Sequence, residues 1–363
     1  MLKTIAKVTR SVLPSQEIRK LILDEAITSE TPLEQNQIQP SSIDLRLSSK
    51  AWRMRASFLP GKIQKVGAWI DQLAMQEIDL SQGYILEKGS VYLVQLQENL
   101  KLPKHVEALA NAKSSTGRLD LFTRLITDHG TEFDRVNAGY SGPLYAEIAP
   151  NSFSVLAKSG ITLNQIRFKT RDNFKVQDRE EAQKVKRINE RIVNNLTPAQ
   201  TFSINLKNRY SNVVGYRAKP HTDLIDLQRT NFYEKEDFWE PVTTRFNKIV
   251  LDPGAFYILS SQEYVSVPPQ LAAEMAPYLS MIGEFRVHYA GFFDPGFGYS
   301  SSGKQNSRAV LEVRCHETPF VLEHGQTVGQ LIFEKMLEVP DLLYGKDLKS
   351  NYQGQNLKLS KHF

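Results

Sequence analysis

Between Lys113 and Glu147 the chain carries two groups of residues that could do chemistry together. The first is Lys113-Ser114-Ser115-Thr116-Gly117-Arg118, a short run of cations and hydroxyls. Hydroxyls, backbone amides and cations all donate to phosphate oxygens, so this run suits an anion. The second is the alternating stretch Pro143-Leu144-Tyr145-Ala146-Glu147-Ile148, entered through the turn Asn137-Ala138-Gly139-Tyr140-Ser141-Gly142. It sets one carboxylate among apolar and aromatic neighbours, where ionisation is costly and the pKa rises. An anion cradle followed by a poised carboxylate reads as a nucleotide site with a general base.

The elements that must hold these residues are mostly strands. A short helix is predicted over Ser15 to Ile27, capped by Ser15 and carrying the apolar stripe Ile18, Leu21, Ile22 and Ala26. After it come Ile43 to Leu47, Gly83 to Leu86, Val91 to Leu96, Leu100 to Pro103, Leu144 to Ile148, Phe153 to Leu156 and Ile161 to Phe168. Short alternating segments punctuated by Gly and Pro argue for a sandwich or barrel. Residues 172 to 195 are dense in charge and free of Gly and Pro after Asp178, with Val185, Ile188, Ile192 and Val193 at helical spacing. This is the expected linker, giving a first domain over 1–170, a helical linker over 171–200 and a second domain over 201–363.

Composition bounds the function. The chain has 363 residues, 41% hydrophobic and 23% charged, in the range of a soluble globular protein. No apolar run approaches the roughly 18 residues of a membrane helix, so no membrane partner is expected. The net charge of +5 favours anionic ligands without requiring nucleic acid, and no basic groove with interleaved aromatics is evident. Cys315 is the only cysteine, which excludes an intrachain disulfide and suits a reducing compartment. Met1 to Arg10 is cationic and reads as a surface extension.

The chain also repeats itself. Gly89 and Gly254, Glu98 and Glu263, Glu147 and Glu312, and Gly160 and Gly325 are all 165 residues apart. One register kept over so many positions indicates duplication of a whole domain. Ile225-Asp226-Leu227-Gln228 echoes Ile43-Asp44-Leu45-Arg46 at another offset. The halves differ in chemistry. Opposite Lys113 to Arg118 the second half has Tyr278-Leu279-Ser280-Met281-Ile282-Gly283, without cations. It adds Asp294-Pro295-Gly296-Phe297-Gly298 and a polar insertion over 299–304, which reads as a mobile hairpin or a phosphate wrap.

Pro40-Ser41-Ser42-Ile43-Asp44-Leu45-Arg46-Leu47, Ser114-Ser115-Thr116-Gly117-Arg118, Gly139-Tyr140-Ser141-Gly142 with Glu147, and Tyr352-Gln353-Gly354-Gln355 occur in this order. Together they resemble the dCTP deaminase family, and the double length is similar to the fused deaminases of some bacteria. The resemblance implies an all-β protein with minor helices: two tandem dUTPase-like distorted jelly-roll barrels. It also implies a cytoplasmic homo-oligomer, with a homotrimer as one form, acting on dCTP. Glu147 would be the general base that activates water for attack at C4 of cytosine. Ser114 and Arg118 would position the water and stabilise developing charge. Lys113 and Ser115 would contact phosphate, Arg135 and Asn137 would line the same wall, and Tyr352 and Gln355 would form a lid. Glu312 and Asp294 are the second-half counterparts. Mg²⁺ is expected on the triphosphate, for charge neutralisation. A catalytic zinc is not expected, because one cysteine cannot supply the Cys-x-x-Cys pair of zinc deaminases.

Three positions depart from the family pattern: Lys113 stands for Arg, Asn137 for Asp, and Asn351 for the Lys before the lid tyrosine. Of the remaining residues, Arg46 suits a structural ion pair, and Tyr140 either stacks on a nucleotide or fills the core. The expected reaction is hydrolysis of dCTP to dUTP and ammonia. Alternatives are a dUTP pyrophosphatase, a bifunctional deaminase and pyrophosphatase, and a non-catalytic nucleotide-binding regulator. Two arrangements of the site satisfy the sequence. Either the first half holds complete sites and the second serves as scaffold and lid donor, or Ser114 and Arg118 meet Glu312 of a second half.

Overall fold

The computed structural model describes residues 10–171, 199–207, 212–277, 285–288, 291–300, 307–348 and 350–363. The N-terminal extension, nearly all of the charged linker, most of the insertion at 299–304 and the stretch opposite Lys113 to Arg118 lie outside the described residues. Among the described residues no helix is long and apolar enough to cross a membrane.

The chain is mostly strand, as the alternating segments predict. In the first half the sheet runs Leu121–Thr127, Ser141–Pro150, Val91–Lys101, Ile43–Met54, Thr162–Arg171, Val106–Ala112 and Arg135–Val136. Ile43–Met54 turns this sheet into a barrel by changing partners along its length. Its first residues pair with Thr162–Ile166, and from Leu47 onward it pairs with Val91–Leu96. Val106–Ala112 is a strand that alternation did not show. Its alanines have low β-propensity, and it forms because both its edges are paired within a buried sheet. The first helix covers Ser15–Leu23 and stops short of Ile27, because Glu25 takes a φ of 55°. Pro14, not Ser15, is the capping residue, and the Ser15 hydroxyl bonds Asp341 of the second half instead.

The second half repeats the first in register. Glu147 pairs with Leu93, and Glu312 pairs with Ile258. The Tyr92 hydroxyl accepts from Glu87 N at 3.0 Å, as the Tyr257 hydroxyl accepts from Asp252 N at 2.9 Å. The counterpart of the Ile43 strand, however, is not Ile225-Asp226. Leu47 N bonds Ile161 O and Gly160 N bonds Leu47 O; Ile204 N likewise bonds Gln326 O, and Gly325 N bonds Ile204 O. The equivalent segment is therefore Ala199–Ser203 continued by Ile204, and its pairing to Thr327–Lys335 matches that of the Ile43 strand to Thr162–Arg171. Ile225–Asp226 instead crosses to the first half and pairs parallel with Val155–Leu156.

The halves share a core. The larger cluster fills the first barrel and runs on through Trp239, Phe256, Ile258, Val310 and Leu359. Ionic links tie the seam: Arg314 to Asp120, Lys169 to Glu334, and the buried Arg167 at 3.4 Å from Glu334 and 3.7 Å from Asp294. A cavity lined by residues of both halves opens along this seam.

Candidate active site

The Lys113 to Arg118 run forms a single helical turn, Ser114–Gly117, directly after the Val106–Ala112 strand. Lys113 N is held by Leu163 O at 2.8 Å, and the Thr116 hydroxyl bonds the same carbonyl at 3.0 Å. This anchoring turns Lys113, Ser114, Ser115 and Arg118 toward a cavity of about 490 Å³. The opposite wall belongs to the second half: Glu312 and Val310 from the strand Ser307–Cys315, with Phe292, Phe293, Asp294 and Phe297. The segment from Ser350 onward closes the third side with Asn351, Tyr352, Gln355 and Lys361.

Arg118 is buried, and the Ser350–Phe363 segment fixes its orientation. One terminal nitrogen donates to Gln355 Oε1 at 3.0 Å, and the other to Lys358 O at 2.9 Å. The Tyr352 ring stacks on the guanidinium at 3.9 Å, a cation–π contact. The remaining nitrogen, Nε, is buried without a hydrogen-bond partner and lies 3.8 Å from Glu312 Oε1. Burial pushes the Glu312 carboxyl up to about 8, against the opposing pull of Arg118. A carboxyl in this range takes and returns protons near neutral pH. Asp294 accepts from the Ser41 hydroxyl and is raised by burial, with Arg167 opposing.

Glu147 does not join Ser114 and Arg118. It is equally buried, but its strand carries it to the other side of the first barrel. There Arg124 Nε and Nη2 lie 3.1 and 2.5 Å from Glu147 Oε1. The same guanidinium lies 3.5 Å over the Phe133 ring. Leu93 and Tyr145, which share the Glu147 face, are sealed under Phe58 and Val66 with the partly buried Trp69. The first-half carboxylate is thus ion-paired and covered, while its second-half copy faces the cavity.

Two family models match: the N-terminal domain of 2'-deoxycytidine 5'-triphosphate deaminase over residues 9–172, and its C-terminal domain over 173–363. The chain belongs to the dCTP deaminase family. A dUMP-forming dCTP deaminase of Sulfurihydrogenibium is 31% identical over 176 residues, 47% of this chain and 87% of the relative. One from Streptomyces griseus is 30% identical over 164 residues, 43% of this chain and 77% of the relative. The crystal structure of the Agrobacterium tumefaciens dCTP deaminase superposes with a TM-score of 0.81 at 47% identity, over 92% of this chain and all of that one. The family is one of enzymes, and its dUTPase-like barrel occurs here twice. The product in the relatives' names, dUMP, differs from the dUTP expected from the sequence.

Of the residues that the dCTP deaminase resemblance singled out, the structure gathers Lys113, Ser114, Ser115, Arg118, Tyr352, Gln355, Glu312 and Asp294 around one cavity. Arg135 and Asn137 are not among its lining; Arg135 reaches Glu132 at 3.4 Å, and Asn137 is exposed at a turn. Tyr140 is structural: its hydroxyl donates to Pro143 O at 2.6 Å, and its ring packs on the core. Gly139 has a φ of 75°, the left-handed geometry that this turn requires. Arg46 is the expected structural ion pair, 2.9 Å from the buried Glu98. Sequence reasoning missed Asp44 as the acceptor for Lys113, and Tyr344 and Lys361 as lining residues. Asp44 had a signal, since it stands in the Ile43-Asp44-Leu45-Arg46 motif. Tyr344 and Lys361 had none.

Proposed function

We propose that this cavity deaminates dCTP by hydrolysis, with Glu312 of the second half as the general base and Ser114 and Arg118 of the first half as its partners. The observation that carries the reading is Glu312, buried and held near neutral pH, facing the one unpartnered nitrogen of Arg118. Glu312 takes a proton from water as the water oxygen bonds C4 of cytosine, and passes that proton to N3. The Ser114 hydroxyl orients the water, and Arg118 Nε stabilises the charge that develops around the attacked carbon. Glu312 then takes the remaining proton from the new C4 hydroxyl and delivers it to the exocyclic amine; the C4 carbonyl forms as the C4–N bond breaks, and ammonia leaves. Phe292, Phe297 and Val310 supply an apolar wall for the base, and Asp294 is an acceptor for a sugar hydroxyl.

Mg²⁺ enters with the triphosphate as part of the substrate. The residues fit this better than a metal held by protein, since Asp44 is engaged by Lys113, and Asp294 by Ser41 and Arg167. The product is dUTP. The relatives' names favour a second reading, in which the same site goes on to release pyrophosphate and leave dUMP. Incubating the protein with dCTP and Mg²⁺ and following ammonia, pyrophosphate and nucleotide together separates them. Ammonia without pyrophosphate supports dUTP formation, equal amounts support dUMP, and no ammonia despite dCTP binding refutes deamination.

A further inference from the structure

Four cations line the cavity: Arg46, Lys113, Arg118 and Lys361. Three have protein partners. Arg46 is bound to Glu98, Ser29 and the carbonyls of Thr31 and Pro32. Lys113 donates to Asp44 and, at 2.9 Å, to Thr162 Oγ1. Arg118 is held by Gln355 and the carbonyls of Lys358 and Leu359, and Glu312 stands by its Nε. Among the described residues, the Lys361 ammonium alone of the four has no hydrogen-bond or ion-pair acceptor.

The backbone that carries it is pinned on every side. Ser360 Oγ donates to Ser115 O at 2.7 Å, Lys361 N to the Tyr352 hydroxyl at 3.2 Å, and Asn231 N to Lys361 O at 2.9 Å. Phe363 packs beyond it with ring centroids 5.4 Å from Phe238 and 5.9 Å from Trp239. The backbone position from which the lysine side chain reaches the cavity is therefore set by the fold. Burial depresses its pKa, the neighbouring Lys113 adds to this, and Asp44 only partly offsets both. A partly buried cation beside a second cation, in a cavity and without an acceptor, is a place prepared for an anion. Its neighbour Ser115 belongs to the hydroxyl run, whereas the apolar wall stands at Glu312.

We propose that Lys361 binds the outer phosphates of the nucleotide and gives the site its preference for a triphosphate over shorter phosphate chains. The nucleotide identity rests on the proposed deamination; the anion site does not. Lysine suits the task because its ammonium is a point charge, which needs no fixed bidentate geometry.

The test compares wild type with Lys361→Met and Lys361→Arg, on dCTP, dCDP and dCMP. Lys361→Met is expected to raise KM for dCTP about tenfold or more with kcat within about threefold, and to narrow the dCTP-over-dCMP ratio of kcat/KM by a similar factor. Lys361→Arg, which keeps the charge, recovers most of the loss. Calorimetry with inorganic triphosphate, on each protein after a melting curve confirms folding, reads the anion site without turnover. There Lys361→Met weakens binding about tenfold. Unchanged KM and unchanged triphosphate affinity in Lys361→Met would overturn the proposal. If wild type releases no ammonia while the triphosphate difference persists, the deamination reading fails and the anion site stands.

Discussion

The strands Ser141–Pro150 and Ser307–Cys315 occupy the same place in the two halves and bury their glutamates almost equally, at 3% and 5% exposure. They differ in what covers them. After its Ile43–Met54 strand the first half sends residues 55–73 back over the barrel, where Phe58 and Val66 seal the Glu147 face. The corresponding stretch of the second half, between Val213–Ala218 and Trp239–Thr243, leaves its own barrel and crosses to the first. Ile258 and Val310, beside Glu312, are left to line the shared core, and Val310 also faces the cavity. Across each ladder stands a different residue too, Arg124 opposite Glu147 and His288 opposite Glu312. A duplicated carboxylate therefore acquires its chemistry from the segment packed against it and from the half across the seam. Its place in the repeat is not enough.

The contrast is open to direct attack. Its largest consequence is kinetic: Glu312→Gln is expected to lower kcat about 10³-fold, and Glu147→Gln to change it by less than about threefold. Rates of ammonia release for the two variants decide this, and the reverse pattern would return the base to the first half. Next comes stability. Arg124→Met strands the Glu147 carboxylate under the Phe58 and Val66 cover and is expected to cost about 3 kcal/mol. Adding Glu147→Leu should restore most of it, as read by denaturant unfolding. If the single variant is as stable as wild type, the pair is not the structural feature described.

The smallest effect concerns pH. Glu312 is raised from its ordinary 4.5 to about 8, so between these values the folded state holds a proton that the unfolded state has lost. Stability linked to this group is full below pH 4.5 and is lost as pH rises toward 8. Glu312→Gln removes the dependence, so its stability relative to wild type should grow steadily over this window. Parallel stability–pH curves for the two proteins would contradict the raised value.

Much of this molecule was readable in residue order. Alternation gave the strands, because period-two burial leaves its mark on composition. The constant offset of 165 residues predicted hydrogen bonds as specific as those of Tyr92 and Tyr257. The cavity residues Lys113, Ser114, Ser115, Arg118, Tyr352 and Gln355 could be read because short motifs carry their own chemistry. Arg135 and Asn137, named by the family resemblance, do not line this cavity, since position in a motif does not say which face of the barrel its turn serves. The Val106–Ala112 strand and the Val66–Leu73 helix were missed for a related reason: alanine-rich or short segments take their conformation from what they pack against.

Residue types and their order were sufficient for the barrel class, the duplication and most of the polar groups that the cavity gathers. They could not say which of two equivalent glutamates meets Arg118, because each lies in the same local pattern and the same strand register. That choice is made by contacts more than 190 residues apart in sequence, between Arg118 and Glu312, and by the route of one connecting segment in each half. Such contacts form only when two barrels close on each other, and they leave no period or spacing in the chain.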